Sequence, residues 1–279
     1  MPAGVERKLR ALGRDFLAMF ARVNGVPLRH IAPLPLNVST ITFTGVLSEK
    51  SLAVEDMRLA AEISQELGDP VAGFRVDCDL LKRKRRPENE SRRFRYQLPL
   101  KRNGKSLKLF HNGSVHATGC TSPAEFLDMI DALAEFVRHT AGVAVALESF
   151  DIQLINALFL VTCPLTRRPL TVSPSAFLRA CPHRADFDTE RHPSVKIQCH
   201  VDGRKVATVC VFQTGSVSIM GAKTPGAVAH AYDTVCRALD DCAQLACKPD
   251  AAARMRTTTA KQPLTLVDGY PFAAYCSCL

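Results

Sequence analysis

The chain writes one ten-residue phrase twice. Phe110 to Gly119 reads FHNGSVHATG, and Phe212 to Gly221 reads FQTGSVSIMG. At a shift of 102 positions, residues 107–137 lie over 209–239 without a gap, and Phe110/Phe212, Gly113/Gly215, Ser114/Ser216, Val115/Val217, Gly119/Gly221, Pro123/Pro225 and Asp131/Asp233 are identical. A repeat of this length limits the chain to folds made of two similar half-units.

Each copy has the same local grammar. A strand (Leu107–Phe110; Val209–Phe212) runs into a turn at glycine, and a second strand (Val115–Ala117; Val217–Ile219) leaves it. A helix follows. Ser122-Pro123-Ala124-Glu125 offers an N-cap, a proline at the first helical position and a capping-box glutamate, and Thr224-Pro225 offers the cap and proline again. Phe126, Ile130, Leu133 and Val137 form one apolar helix face, and Val228, Tyr232, Val235 and Leu239 repeat its spacing. Upstream, each copy opens with an Asn-bearing strand, Leu36–Ile41 and Ile155–Leu160. Asn37 lies 76 residues before Gly113, whereas Asn156 lies 59 before Gly215, so the first copy carries an insertion.

Two units of strand, helix, strands and long helix predict an α+β protein with helices on one face of an antiparallel sheet. The expected organisation is a basic amphipathic extension over 1–33, a first repeat over 34–146 with the insertion near 80–95, a second repeat over 147–246, and a tail over 247–279. Within the extension, Leu9, Leu12, Phe16 and Phe20 predict a core-packing or partner-binding helix over Val5–Arg22.

Composition narrows the function. With 279 residues, 47% of them hydrophobic, the chain can bury a sizeable core. It has no apolar run long enough to span a bilayer, and its N-terminus is charged where a signal peptide is apolar, so a soluble intracellular protein with no membrane partner is expected. Eleven cysteines, an odd number without a zinc-type quartet, point to reduced thiols and to no metal or cofactor. Cys276-Ser277-Cys278-Leu279 fits a prenylation site only formally, because its middle positions are not aliphatic, and a frayed tail is the better reading. The net charge is +9, and the stretch from Lys82 to Arg95, KRKRRPENESRRFR, holds eight Lys or Arg against two Glu. Such density suits a polyanion, though a solvated loop or an import signal has the same composition. Catalysis is not indicated. Cys181-Pro182-His183 places a thiol near an imidazole without an orienting group, while Asp77/Asp79 and Asp240/Asp241 read as solvated surface carboxylates.

Strand alternation puts Leu107, Leu109, Val115 and Ala117 toward the helix in copy one, with Val209, Val211, Val217 and Ile219 toward it in copy two. The opposite face then carries Lys108, Phe110, His116 and Thr118 in the first copy, and Cys210, Phe212, Ser218 and Met220 in the second. A Phe exposed at the same place twice marks a binding surface, unless the tails cover it or the rings turn inward.

These residues resemble the TATA-box-binding protein family, whose repeats carry a phrase of the type F-x-S-G-K-x-V-x-T-G-A-K. Here FHNGSVHATG and FQTGSVSIMGAK match it, together with Asn37-Val38-Ser39-Thr40 and Phe150-Asp151-Ile152-Gln153, over about residues 34–246. The resemblance implies a saddle of two pseudo-symmetric repeats, a curved antiparallel sheet of about ten strands with helices on the convex side. It also implies a non-enzymatic transcription initiation factor that binds A/T-rich promoter DNA in the minor groove, bends it and recruits initiation factors and RNA polymerase. The divergence fits a copy carried by a large DNA virus, with the nucleus, a cytoplasmic virus factory or the virion as its location.

The resemblance also implies roles. Phe94 and Phe110 stand at the wedge positions of the first repeat; Phe212 stands at one wedge of the second, whose other falls near His192 or Pro193. Asn37, with Val38 beside it, and Asn156 correspond to the central groove donors, and Thr118 keeps a groove-facing Thr where its partner is Met220. The family's lysines after the turn glycine are Ser114 and Ser216 here, so phosphate contact is assigned to Arg92, Arg93, Arg95 and Lys101. Asp188 and Glu190 stand in for an acidic loop that meets an initiation factor. Lys108, His116 and Ser218 replace apolar groove-facing residues, which leaves open a scaffold that kept the fold and lost DNA.

Overall fold

A computed structural model describes residues 2–76, 96–188, 190 and 192–249. The basic stretch over 82–95, Asp77 and Asp79, and the C-terminal four residues lie outside them. In chain order the elements are α1 (Ala3–Asn24), β1 (Ala32–Pro33), β2 (Asn37–Leu47), α2 (Val54–Glu66), β3 (Arg75–Val76), β4 (Gln97–Arg102), β5 (Lys105–Phe110), β6 (Ser114–Cys120), α3 (Pro123–Ala141) and β7 (Leu147–Thr162). There follow β8 (Leu170–Val172), α4 (Pro174–Ala180), β9 (Ala185–Asp186), β10 (Ser194–Val201), β11 (Arg204–Phe212), β12 (Ser216–Ala222), α5 (Pro225–Asp241), α6 (Ala243–Ala246) and β13 (Cys247–Pro249).

The chain divides into two compact units, the described part of the first covering 2–12, 40–76 and 96–153, and that of the second covering 13–39, 154–188, 190 and 192–249. In the first, the hydrogen-bonded order is β3-β4-β5-β6-β2. In the second it is β7-β12-β11-β10-β9, with β1 paired to β7 and a separate β8–β13 ribbon. The described strand pairs are antiparallel, and the α+β class expected from the duplicated pattern is the one both units have.

One face of each set of strands is packed on helices, for the reason the alternation gives. Leu107, Leu109, Val115 and Ala117 are buried in the first unit, where Phe43 stacks on Phe126 of α3 with ring centroids 4.3 Å apart. In the second, Val209, Val211, Val217 and Ile219 are buried against α5, and Phe159 meets Tyr232 at 4.7 Å. Both predicted helix faces are buried throughout. The caps form as read: Ser122 Oγ accepts from the Glu125 N–H at 3.3 Å, and Thr224 Oγ1 accepts from the Ala227 N–H at 3.1 Å. Glu125 returns to the Thr121 N–H at 2.7 Å, one residue ahead of the cap.

The turn glycines have no substitute. Gly113 and Gly215 have φ of 75° and 78°, and a Cβ on either would stand 2.0 Å from the Glu49 carbonyl oxygen or 2.2 Å from that of Leu170. Both the handedness and the close approach demand a residue without a side chain.

Asp240 corrects the reading of a solvated pair. It is 8% exposed, and its carboxylate accepts the main-chain N–H groups of Arg29, His30 and Ile31 at 2.6 to 3.1 Å. A part-buried turn with three N–H groups pointing one way favours a charged acceptor, and α5 supplies it. The helix expected over Val5–Arg22 spans Ala3–Asn24, with Leu9, Leu12, Phe16 and Phe20 buried. The first residues of the expected tail, Cys247–Pro249, form β13 on β8.

Candidate nucleic-acid interface

In the first unit the strand face opposite the helices is built by β5 and β6. Lys108 stands opposite His116, and Ser106 opposite Thr118. Phe110 ends β5 beside Gln97 of β4. Lys108, Phe110, His116 and Thr118 are all half-buried, so the rings and charges there are reachable without being loose. His116 is held below the ordinary imidazole pKa, first by burial and then by the neighbouring Lys108 ammonium. At neutral pH the pair therefore presents a cation and a neutral imidazole. Lys101 is exposed on β4. Phe94, Arg92, Arg93 and Arg95 lie outside the described residues. Just after them stands Tyr96, 55% exposed, with its ring 4.9 Å from His111.

In the second unit the corresponding face carries Phe212, Ser218 and Met220, with Leu158 of β7 opposite Ser218. Phe212 is half-buried at the end of β11, as Phe110 is at the end of β5, and both glycine turns close with an N–H to Phe carbonyl bond of 3.0 Å. The His192 ring lies 5.8 Å from the Phe212 ring, so the structure brings together two residues that the sequence keeps 20 positions apart. His192 is fixed by Ser194 Oγ at 2.7 Å from its Nδ1 and by its own N–H to the Asp188 carbonyl at 2.9 Å. Asp188 is half-buried and accepts the Glu190 N–H at 3.0 Å, which shapes this loop and leaves Glu190 exposed.

Three expected contacts change. Cys210 lies on the right face, in register with Lys196 on one side and Ser218 on the other, but is 0% exposed and offers no surface. Val38 is 4% exposed and is likewise part of the core. Asn37 and Asn156 are not equivalent. Asn156 stands opposite a bulge formed by Met220 and Gly221, between the Ala157–Ile219 and Ile155–Ala222 pairs. In the first unit that place, opposite Thr118 and Gly119, belongs to Thr42. The Asn156 side-chain oxygen accepts the Gly221 N–H at 3.0 Å, a bond that Thr40 Oγ1 makes to Gly119 at 3.1 Å in the first unit. Asn37 is exposed at the start of β2. Both asparagines belong to the second unit.

The sequence reading missed the outer strands of the second unit. A groove of about 710 Å³ opens there, lined by Arg184, Lys196, Gln198, Lys205, Thr208 and Met220 among others. Alternation along β10, with Val195, Ile197 and Cys199 buried, was the available signal for Lys196 and Gln198. Among the described residues no three His, Cys, Asp or Glu side chains are placed to hold a metal ion, and no helix is long and apolar enough to cross a membrane. The eight described cysteines are free thiols.

No protein-family model and no curated protein matches the chain. Among solved structures, it is similar to Methanococcus jannaschii TBP at 16% sequence identity and a TM-score of 0.46, a match covering 74% of this chain and 98% of that one.

Proposed function

We propose that this protein is a TBP-like transcription initiation factor that binds and bends duplex DNA through the helix-free strand faces of its two repeats, 34–146 and 147–246, rather than an enzyme. The observation that carries the reading is the repeated placement of Phe110 and Phe212. Each ends the strand before the glycine turn, on the face away from the helix, and neither is buried. An aromatic ring held there by a rigid turn suits insertion between base steps, which unstacks them and kinks the duplex.

The polar part of each face suits a groove floor of acceptors. Lys108 and Thr118 in the first repeat, with Ser218 in the second, can donate to base edges or sugars, and His116 adds a switchable donor. Arg92, Arg93, Arg95 and Lys101 take the role of phosphate contacts, with A/T-rich promoter DNA as the favoured partner because its TA steps are easily unstacked and kinked. Exposed Glu190 beside Asp188 is the contact for an initiation factor, through which RNA polymerase is recruited in the nucleus or, for a viral copy, the cytoplasmic factory.

Fluorescence bending on A·T-rich and G·C-rich duplexes tests this. The wild-type chain should bend the A·T-rich duplex, and the Phe110→Ala/Phe212→Ala double variant should lose most of the bend. Full bending by that variant rejects the wedge role. Absence of both binding and bending by the wild type rejects the DNA reading and leaves the protein-interaction scaffold.

A further inference from the structure

The groove over the outer strands of the second unit gathers positive charge that no ion pair among the described residues neutralises. Arg184, Lys196 and Lys205 line it against one carboxylate, Asp186. Asp186 is the register partner of Lys196, yet among the described residues none of the three cations has an ion pair within 4.0 Å. Elsewhere the chain does pair its cations, as Lys8 with Asp151, Arg58 with Glu62 and Arg102 with Asp128.

Their convergence is built into the strands. On β10, Lys196 and Gln198 point to the groove while Ile197 and Cys199 are buried. Gln198 pairs with Thr208 of β11, and Thr208 pairs with Met220 of β12, so a hydroxyl, an amide and a thioether form the floor. Lys205 follows the tight β10–β11 turn, in which Asp202 and Gly203 both have positive φ. Arg184 is tied to β10 through its carbonyl, which accepts the Gln198 N–H at 3.4 Å. Like charges gathered in one concavity repel each other, and an anion removes that cost.

The site is not inherited from the repeat. The gap-free shift of 102 equates Cys210 with Lys108, whose register partners on β10 and β4 are Lys196 and Pro99, so Lys196 has no cationic counterpart.

We infer that this groove is a phosphate-binding site that takes several linked phosphate groups at once. Its volume exceeds what one phosphate fills. The guanidinium of Arg184 suits two oxygens of one group, the ammoniums of Lys196 and Lys205 suit others, and Gln198 and Thr208 supply neutral donors. Linked phosphates come from two sources, a nucleic-acid backbone or a free oligophosphate. The first source rests on the function proposed above.

The experiment separates them. Inorganic tripolyphosphate is titrated calorimetrically, and a duplex by anisotropy across a salt series. The proteins are wild type, an Arg184→Gln/Lys196→Gln/Lys205→Gln variant, and an equal-charge control, Arg7→Gln/Arg14→Gln/Arg168→Gln. Arg184 and Lys205 are exposed, so Arg184→Gln/Lys205→Gln serves should the half-buried Lys196 change disturb folding. Wild type and control should bind tripolyphosphate, with at least a tenfold loss in the groove variant. Equal binding by all three, or none by wild type, overturns the site. For a backbone source, the salt slope of duplex binding should be shallower by about 2 to 3 in the groove variant alone. Unchanged slopes with lost tripolyphosphate binding assign the groove to free oligophosphate. Tripolyphosphate binding by a wild type that binds no duplex supports the groove and rejects the proposed function.

Discussion

Lys108 and His116 stand opposite each other in the β5–β6 register on the helix-free face of the first unit, and burial together with the ammonium depresses the imidazole pKa. The folded chain therefore takes up this proton at lower pH than the unfolded chain, whose midpoint is about 6.5. Above that midpoint both states are neutral and the group leaves stability unchanged. As pH falls from there toward the folded midpoint, the unfolded state binds the proton first and stability declines. NMR titration should place the His116 midpoint below the ordinary value, and Lys108→Met should raise it only part of the way, because burial is the larger cause. An unmoved midpoint would show that Lys108 exerts no field there.

Asp240 is a structural carboxylate. Replacing it with Ala strands three main-chain donors, of which that of Ile31 is buried and the other two are part-buried, and the expected loss is about 1–3 kcal/mol, the cost of one buried unsatisfied group. Asp240→Asn keeps one acceptor oxygen and should lose less. Denaturant unfolding of the two variants would show this order, and equal stability of Asp240→Ala and wild type would mean that the turn at 29–31 holds itself.

Three of the four glycines in the repeated phrase differ in what surrounds them. Gly221 has φ of 73° with nothing within 4 Å of an added Cβ, whereas Gly113 and Gly215 meet carbonyl oxygens. Gly221→Ala should cost about 1 kcal/mol, the price of the left-handed backbone alone. Gly113→Ala and Gly215→Ala must also move main chain and should cost about 3 kcal/mol or more. Chemical denaturation of the three variants would measure the gap, and comparable losses would contradict it.

Thiol reactivity should follow local environment. Cys163 is held below the ordinary thiol range by hydrogen bonds from Thr166 and Leu165, while burial pushes Cys120 up to about 12 and raises Cys236 as well. The thiolate is the nucleophile, so limiting iodoacetamide should label Cys163 well before Cys120 or Cys236 among these three. Mass spectrometry of the native protein at pH 8 would reveal the order, and early labelling of Cys120 would refute it.

Much of each unit was legible in the chain because it is written in short-range terms. Pro123 and Pro225 after hydroxyl caps, helix faces at steps of three and four, and glycines at the turns each express local geometry, and a repeat states them twice. The half-exposed Phe110 and Phe212 followed from alternation alone. Alternation failed at Cys210, since it assigns a side chain to a face but does not say how exposed that face is at a given strand.

By itself, the sequence determined the α+β class, the duplicated strand–turn–strand–helix block and the side of each strand. Tertiary structure alone decided which asparagine anchors a bulge, that Asp240 closes a turn 211 positions earlier, that His192 lies beside Phe212, and that Arg184, Lys196 and Lys205 share a groove. The physical reason is range. Caps and turns are set by bonds between residues a few positions apart, whereas desolvation, register and convergent charge depend on packing between segments whose separation along the chain leaves no local trace.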